Sequence, residues 1–436
     1  MKILVIGNGG RAHAFCWKIS QSELCTGLFT APGNAGTSQF GENVEIATTD
    51  FNSIKNLCID EKIDLVLVGP EEPLVNGIYD FFKKDKALSH IIINGPSAEG
   101  AKLEGSKAFA KAFMQRHNIP TAGYKEFSAD TYEEGLEYIK NHELPVVIKA
   151  DGLAGGKGVV ICNNHIEAMG EYELMVQKSK FGEAGKRLVV EEFLDGIEMS
   201  VFILTDGKNY VLLPEAKDYK KIMEGDTGLN TGGMGAVSPV PFATESLMKK
   251  VKQNIIEPTI NGLQQEKIDY KGFIFFGLIK VDDEPFVIEY NCRMGDPETE
   301  VVLPRLKNDL VKLLIAADKE QLHLEEIIIE KKAAATIMAV SGGYPLEYKS
   351  GFAIDFGYLA NPLVIKQMNT DGGVTVFHAG TKKVDGEIVT NGGRVIAVSS
   401  LADTITEAVE LSKEILEQIH FEGMYYRRDI GYEFIE

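Results

Sequence analysis

The sequence predicts an α/β protein with an open parallel α/β sheet at its N-terminal end, a central unit carrying a small lobe, and a mixed α+β C-terminal part. Three observations predict it. Four short apolar strands near the start each stop at a glycine-containing turn. A strand–glycine loop–strand unit occupies Pro145 to Val160. A late strand delivers Glu289, Asn291 and Arg293 at alternate positions. The chain has 436 residues, length for roughly two to four domains. Its 44% hydrophobic and 25% charged content suits a packed core. The formal net charge of −19 argues against nucleic acid or an anionic membrane as a partner. A local basic pocket for a small anion remains compatible with it. Five scattered cysteines without a Cys-x-x-Cys pair suit a reducing compartment. The chain opens directly into a strand, without a leader pattern, and no apolar run approaches the roughly 20 residues of a membrane span. The expectation is a cytoplasmic protein.

The first strand, Lys2–Ile6, enters Gly7-Asn8-Gly9-Gly10-Arg11, and a helix follows from about Ala12 to Ser20. Strand Gly27–Ala31 meets Pro32-Gly33-Asn34-Ala35-Gly36. Strands Asp64–Val68 and His90–Asn94 meet Gly69-Pro70 and Gly95-Pro96. Apolar strands with helical pattern between them form a parallel sheet covered on both faces, and ligands sit beyond its strand ends. Gly7-x-Gly9-x-x-Ala12 matches the relaxed dinucleotide fingerprint. The second strand, however, ends in Thr30-Ala31-Pro32, without the acidic residue a ribose requires. Arg11 and the helix start after Gly10 suit a phosphate or carboxylate better.

Residues 104 to 119 read as a helix capped by Ser106 and stopped before Pro120. Lys107 lies in its first turn, where the helix dipole disfavours a cation. An anionic neighbour would explain it, as would simple solvation. Residues 120 to about 190 form the small lobe. Val146 to Ile148 is a buried strand, and Gly152, Gly155, Gly156 and Gly158 follow before the strand Val159 to Cys162. Glycines let backbone N–H groups close over phosphate oxygens, and Lys149 and Lys157 add positive charge. A Walker A motif fails here, because Asp151 and Gly158 occupy the places of its glycine and its Ser or Thr. Arg187–Glu192 is another strand, leading into Phe193-Leu194-Asp195-Gly196-Ile197-Glu198. Strands Met199–Thr205 and Tyr210–Leu213 flank an Asp206-Gly207 turn. Lys217 to Gly235 reads as a long polar loop with the character of a substrate cover.

Strands Phe273–Val281 and Pro285–Glu289 come next. Residues two apart on a strand share a side, so Glu289, Asn291 and Arg293 are expected to point together. Two oxygen ligands and a guanidinium suit a hard cation bridging phosphates. Alone, such a strand end is more often a surface ion pair; a phosphate loop upstream reverses the balance. A helix Asp309–Ala317 and the charged stretch Glu325–Lys332 precede the last part. That part reads as strands Ala334–Val340, Val374–His378, Ile388–Val389 and Val395–Ser399, with a helix from about Asp403 to Gln418.

Together these runs resemble the ATP-grasp superfamily, and within it the phosphoribosylamine–glycine ligase family. The resemblance covers essentially the whole chain. It rests on Gly7–Arg11, Ala31–Gly36, Leu103–Phe109, Ile148–Val159, Glu191–Gly196, Asn230–Ser238, Ile288–Glu298, His378–Lys382 and Asn391–Val395. The run Asn291-Cys292-Arg293-x-Gly295-Asp296-Pro297-Glu298 is the most specific of them. The resemblance implies an ATP-grasp fold with an N-terminal domain over 1–103, an ATP-grasp domain over 104–325 and a C-terminal domain over 326–436. It implies that ATP, glycine and 5-phosphoribosylamine give glycinamide ribonucleotide, ADP and phosphate in purine biosynthesis. Mg²⁺ (or Mn²⁺) would sit on Glu289 and Asn291. Lys149 and Asp151–Gly158 would hold the triphosphate, with Lys107 as a second cation. Glu191, Glu192, Phe193 and Leu194 would form the adenine hinge, and Glu198 would take the ribose hydroxyls. Arg293 and Lys149 would stabilise the transferring group. Gly10, Arg11, Gly33, Asn34, Asp218, Gly295, Asp296, Lys382 and Arg394 would serve phosphoribosylamine and glycine. The protein would be a monomer or weak dimer.

The chain departs from the family's common pattern at Ala12, where Glu is usual, at Tyr219, where His is usual, and at Glu300, where Gln is usual. Strand Phe275–Ile279 also lacks the acidic metal ligand that many relatives place there. Competing readings are an ATP-grasp ligase or carboxylase with another acceptor, a dinucleotide-dependent oxidoreductase, and a non-catalytic nucleotide sensor. The missing ribose acid disfavours the oxidoreductase. The intact Lys149, Glu289, Asn291 and Arg293 disfavour the sensor.

Overall fold

The structure is a computed structural model and describes residues 1–153, 158–177, 187–361, 364 and 373–434. The N-terminal strands are β1 (Lys2–Gly7), β2 (Gly27–Pro32), a two-residue β3 (Glu42–Asn43), β4 (Leu65–Val68) and β5 (Ile92–Pro96). They pair in parallel, with β1 between β2 and β4. Helices α1 (Gly10–Ile19), α2 (Phe51–Asp60), α3 (Glu71–Val75) and α4 (Ile78–Lys84) fill the crossovers. Alternation places Ile3 and Val5 in one apolar core and Leu4 and Ile6 in another, so both faces are covered as expected.

After α5 (Ala98–Gly105) the chain enters α6 (Lys107–Arg116), whose Ser106 cap accepts from the Phe109 N–H at 3.1 Å. The small lobe holds β6 (Tyr124–Ser128), α7 (Tyr132–Lys140), β7 (Val146–Ala150), β8 (Val159–Cys162), α8 (His165–Val176) and β9 (Arg187–Glu192). Its four strands run in the order β6-β9-β7-β8 over a separate core that includes Phe127, Ile148 and Tyr172. Strands β10 (Ile197–Thr205) and β11 (Tyr210–Leu212) follow.

The segment expected to be one polar loop is built differently. It contains β12 (Lys217–Asp218), the hairpin β13 (Lys221–Met223) and β14 (Thr227–Asn230), and β15 (Gly235–Ser238). These strands are two to four residues long, and β15 finds its partner β18 about a hundred residues on, so local pattern does not announce them. Helices α9 (Glu245–Val251) and α10 (Glu257–Gln265) lead to β16 (Tyr270–Val281) and β17 (Glu284–Asn291). Then come α11 (Thr299–Arg305), α12 (Leu310–Asp318), β18 (Ala333–Val340), β19 (Val374–His378), the hairpin β20 (Thr381–Val384) and β21 (Glu387–Thr390), β22 (Arg394–Ala402) and α13 (Ile405–Leu416). The residues Thr381 and Lys382, expected in a turn, open β20.

Two sheets organise the molecule. In the larger, β16 pairs antiparallel with β5 through Tyr270↔Pro96 and Lys271↔Gly95. This joins the N-terminal strands to β10, β11, β16 and β17 in one nine-stranded sheet. In the smaller, the order β12-β15-β18-β22-β19 carries two strands from the middle of the chain into the C-terminal sheet. Among the described residues no helix is long and apolar enough to cross a membrane.

Candidate functional site

Lys149 lies on β7, buried, where the small lobe meets β17. Its Nζ is 2.9 Å from the Glu191 carboxylate and reaches the Ile288 carbonyl at 3.5 Å. Lys111, one helical turn after Lys107, reaches the same Glu191 oxygen at 3.0 Å. Burial pushes the Lys111 ammonium down to about 8. One carboxylate thus holds two cations at this junction. Lys111 has no signal in the sequence beyond its spacing from Lys107. Burial also lowers Lys107, whose Nζ donates to the Gly152 carbonyl at 3.3 Å, while Glu289 opposes that shift.

Asp151 has a structural duty not foreseen in the sequence. Its carboxylate accepts from the Ser106 hydroxyl at 3.0 Å and the Ala108 N–H at 2.7 Å, capping α6. The Gly158 carbonyl accepts from the Ala150 N–H at 2.8 Å, closing the β7–β8 turn. Gly155, Gly156 and Lys157 lie outside the described residues. At the end of β9, Glu192 accepts from the Gly123 N–H at 2.7 Å, and Phe193, just beyond, is exposed. Phe193 and Leu194 run outside any strand until β10 begins at Ile197.

Glu289 and Asn291 occupy alternate positions at the end of β17, opposite Gly277 and Phe275. Asn291 is buried, and its Nδ2 has no hydrogen-bond partner among the described residues. One carboxylate and one amide on the same side of a strand are hard oxygen donors. They fit a cation whose remaining ligands are phosphates and water. Glu198 is bound by Lys220 at 2.6 Å, and that ammonium lies 4.0 Å from Asp218. Lys220 is chiefly what lowers the Glu198 carboxyl. Glu298 is buried beside Gly295 and accepts from the Ser200 hydroxyl at 3.3 Å. Burial, with Asp218 nearby, pushes Glu298 up to about 7.

Arg293 lies two residues beyond the end of β17, so the three residues do not share one strand. Its guanidinium is held by Glu104 at 2.6 Å and Glu71 at 3.3 Å. Glu71 also faces Arg11, at 3.7 Å, and Arg11 donates to the Met294 carbonyl at 2.7 Å. Burial pushes Glu71 up, but Arg293 and Arg11 outweigh it and hold the carboxyl at about 2. These four groups join the helices α3 and α5 to the signature run. Glu71 and Glu104 escaped sequence reasoning, because their partners are about two hundred residues away.

A separate cavity of about 250 Å³ opens between the N-terminal turns and the C-terminal sheet. Gly9, Gly10, Gly33, Asp296, Tyr344, Gly380, Thr381 and Arg394 are among its lining. Arg394 bonds Asp296 at 2.8 Å and also donates to the Asp296 and Gly232 carbonyls, each at 2.7 Å. Gly33 adopts φ +75°, a conformation disfavoured with a side chain. Gly10 lies so close to Glu300 that a Cβ there would collide with its carboxyl. Glu300 is fully buried, neither oxygen has a hydrogen-bond partner among the described residues, and burial, with Asp296 beside it, raises its carboxyl. The Asn34 side chain donates to the His378 carbonyl at 2.8 Å and the Asn8 carbonyl at 3.0 Å, tying the two ends of the chain together. Lys382 is exposed on β20, next to the lining. Gly10, Gly33, Asp296 and Arg394 are thus brought together. Arg11 and Asn34 support that wall from behind.

Comparison with known proteins agrees along the whole chain. The family models described as phosphoribosylglycinamide synthetase match in three parts: the N domain over residues 1–104, the ATP-grasp (A) domain over 105–299 and the C domain over 334–433. A phosphoribosylamine–glycine ligase of Escherichia coli (strain K12) is 43% identical, covering 100% of this chain and 99% of the other. One from Haemophilus influenzae is 44% identical with the same coverage. Among solved structures, a phosphoribosylamine–glycine ligase of Thermotoga maritima superposes with a TM-score of 0.84 at 32% identity, covering 98% of this chain and 100% of that one. The biotin carboxylase domain of a Hydrogenobacter thermophilus 2-oxoglutarate carboxylase, at 18% identity and TM-score 0.72, covering 97% and 91%, shares the fold.

Proposed function

The chain belongs to the phosphoribosylglycinamide synthetase family, and from that premise we propose that it uses ATP to join glycine to 5-phosphoribosylamine, with glycyl phosphate as the intermediate. One observation carries the reading. Lys149 reaches β17, whose end carries the donor pair Glu289 and Asn291, Lys107 lies within electrostatic reach of Lys149 and Glu289, and a cavity with Arg394 at its wall has a separate lining. Two reactant sites of this kind suit a phosphoryl donor and an anionic amine acceptor.

Glycine's carboxylate is a poor electrophile and must first gain a leaving group. Lys149 and Lys107 orient the triphosphate, and Phe193 and Leu194 offer backbone groups to adenine. Glu289 and Asn291 would hold Mg²⁺ or Mn²⁺, which supplies charge neutralisation at the β- and γ-phosphates. Glycine attacks the γ-phosphorus, and ADP leaves. The phosphoribosylamine nitrogen then attacks the acyl carbon, and phosphate departs with both electrons of the broken C–O bond. Arg394 and the N–H group at Gly10 hold the ribose phosphate meanwhile, and Arg11, whose N–H donates to Asp296 at 3.2 Å, braces that turn. Burial pushes the Cys16 and Cys58 thiols up to about 12, which removes them as nucleophiles. The reading includes domains over 1–103, 104–325 and 326–436, a cytoplasmic protein, and a monomer or weak dimer.

Glycine labelled with ¹⁸O in both carboxyl oxygens tests it. One label should appear in phosphate and the other in the amide product. Unlabelled phosphate would refute the acyl phosphate. No product from ATP, Mg²⁺, glycine and fresh phosphoribosylamine would refute the ligase reading itself.

A further inference from the structure

We infer that Glu433 is a positioning residue, which fixes the reactant-facing side of β12 from the opposite side of that strand. The inference rests on the ligase reading above, with Asp218 expected to serve the substrates and Lys220 paired to Glu198, the residue expected at the ribose hydroxyls. β12 and the residues after it alternate. Lys220 turns to Glu198, and Asp218 lies within electrostatic reach of Glu198 and Glu289. Lys217 and Tyr219 turn the other way. The two carboxylate oxygens of Glu433 take the Lys217 ammonium at 2.8 Å and the Tyr219 hydroxyl at 2.7 Å. Tyr219 is 1% exposed, with the Lys217 ammonium 4.2 Å from its ring centroid and the Tyr432 ring edge-on at 6.3 Å.

Glu433 adds a side-chain anchor to the backbone ones. β12 pairs Lys217↔Val237 and Asp218↔Ala236 with β15, and flanking backbone bonds join Ala216 to Ser200, Tyr219 to Gly235 and Met234, and Lys220 to Thr231. A slip of one residue would exchange its faces and carry Asp218 and Lys220 away from Glu198. Glu433 reads both odd positions at once, so it fixes the register from the side that touches no reactant. The segment bearing it is itself tied down. Arg427, fully buried, forms ion pairs with Asp226 at 2.6 Å and Asp429 at 2.8 Å. This arrangement also accounts for Tyr219, where relatives commonly have His. Its hydroxyl donates to Glu433 at 2.7 Å.

Glu433→Ala, Glu433→Gln and Tyr219→Phe should be assayed beside the native chain, with kcat expressed per nucleotide-binding site titrated with ADP. Glu433→Ala should lower kcat about tenfold, because small misplacements near reacting groups cost rate steeply, while KM for phosphoribosylamine stays within about twofold. Glu433→Gln should recover most of the rate, since its amide oxygen still accepts from Tyr219. Tyr219→Phe should lower kcat about fivefold through the one lost hydrogen bond. A native kcat in Glu433→Ala overturns the inference, as does a loss that disappears once kcat is counted per site. If Glu433→Ala does not fold, Tyr219→Phe decides: a reduced kcat supports the inference and a native one overturns it. An inactive native chain would instead refute the ligase reading.

Discussion

Lys149 and Glu191 form a buried ion pair at 2.9 Å, and Lys111 completes it from the other side at 3.0 Å. The lysine proposed to face phosphate is thus held by a carboxylate that a second lysine also contacts. Lys149→Ala should reduce kcat/KM for ATP at least about a hundredfold, the scale for losing a preorganised charge at a transferring group. Lys111→Ala should act mainly on stability, by about 3 kcal/mol, because it leaves buried charge less compensated. Nucleotide titration and chemical denaturation separate the two effects. A Lys149→Ala protein with native ATP kinetics would remove this lysine from the reaction.

Glu289→Gln should leave the fold intact and shift the Mg²⁺ titration of activity to higher concentration. A hard cation there loses its one anionic oxygen from the protein. Asn291→Asp should shift the titration the other way. Superimposable titrations for all three proteins would assign the pair a structural role.

Arg394→Ala should raise KM for phosphoribosylamine by about ten- to a hundredfold, the equivalent of a charge-assisted hydrogen bond of about 1.5–3 kcal/mol. KM for ATP should stay close to native. Arg394→Lys should recover little, since one ammonium cannot reproduce bonds to two carbonyls and the Asp296 carboxylate. Unchanged acceptor saturation would move the phosphate elsewhere along the wall.

Stability should fall as pH rises from about 4.5 to about 7, in the part that Glu298 contributes. Burial raises its carboxyl above the ordinary value of 4.5, so the folded state binds the proton more tightly than the unfolded chain does. That contribution is complete below the ordinary value and is lost as pH passes the folded one. Glu300, raised by burial and Asp296, acts in the same direction. Denaturation midpoints measured across this window should fall less steeply in Glu298→Gln and Glu300→Gln than in the native protein. Equal slopes would mean that both carboxyls titrate normally.

Much of this was legible because it is local. The Ser106 cap, the Glu289-x-Asn291 alternation and the glycine turns at Gly9–Gly10 and Gly33 each depend on a few neighbouring residues, and each stands where local pattern put it. Parts that depend on distant pairing were not legible. β12 and β15 find β18 and its sheet only in the folded chain, so their polar, glycine-rich stretch reads as loop. Lys111, Glu71 and Glu104 look like surface charges until their partners arrive from other elements. Asp151 sits beside a glycine loop, yet it caps a helix that begins more than forty residues earlier. Asn34 spends its amide on carbonyls at both ends of the chain, which no spacing rule predicts.

The antiparallel seam between β5 and β16 has a mechanical consequence. It makes the acceptor-side turns and the strand bearing Glu289 parts of one hydrogen-bonded slab, with an apolar core on each face. Bending that slab would shear both cores at once. The small lobe is built otherwise, with its own sheet and core, and meets β17 through the Thr121↔Val287 bridge. Movement is therefore expected on the small-lobe side, where the nucleotide is proposed to bind, while the proposed acceptor cavity is lined by turns of the slab. Ribose-phosphate analogues should accordingly bind without nucleotide, with little change in heat capacity. Nucleotide binding should carry the larger change, because it draws two separate cores together.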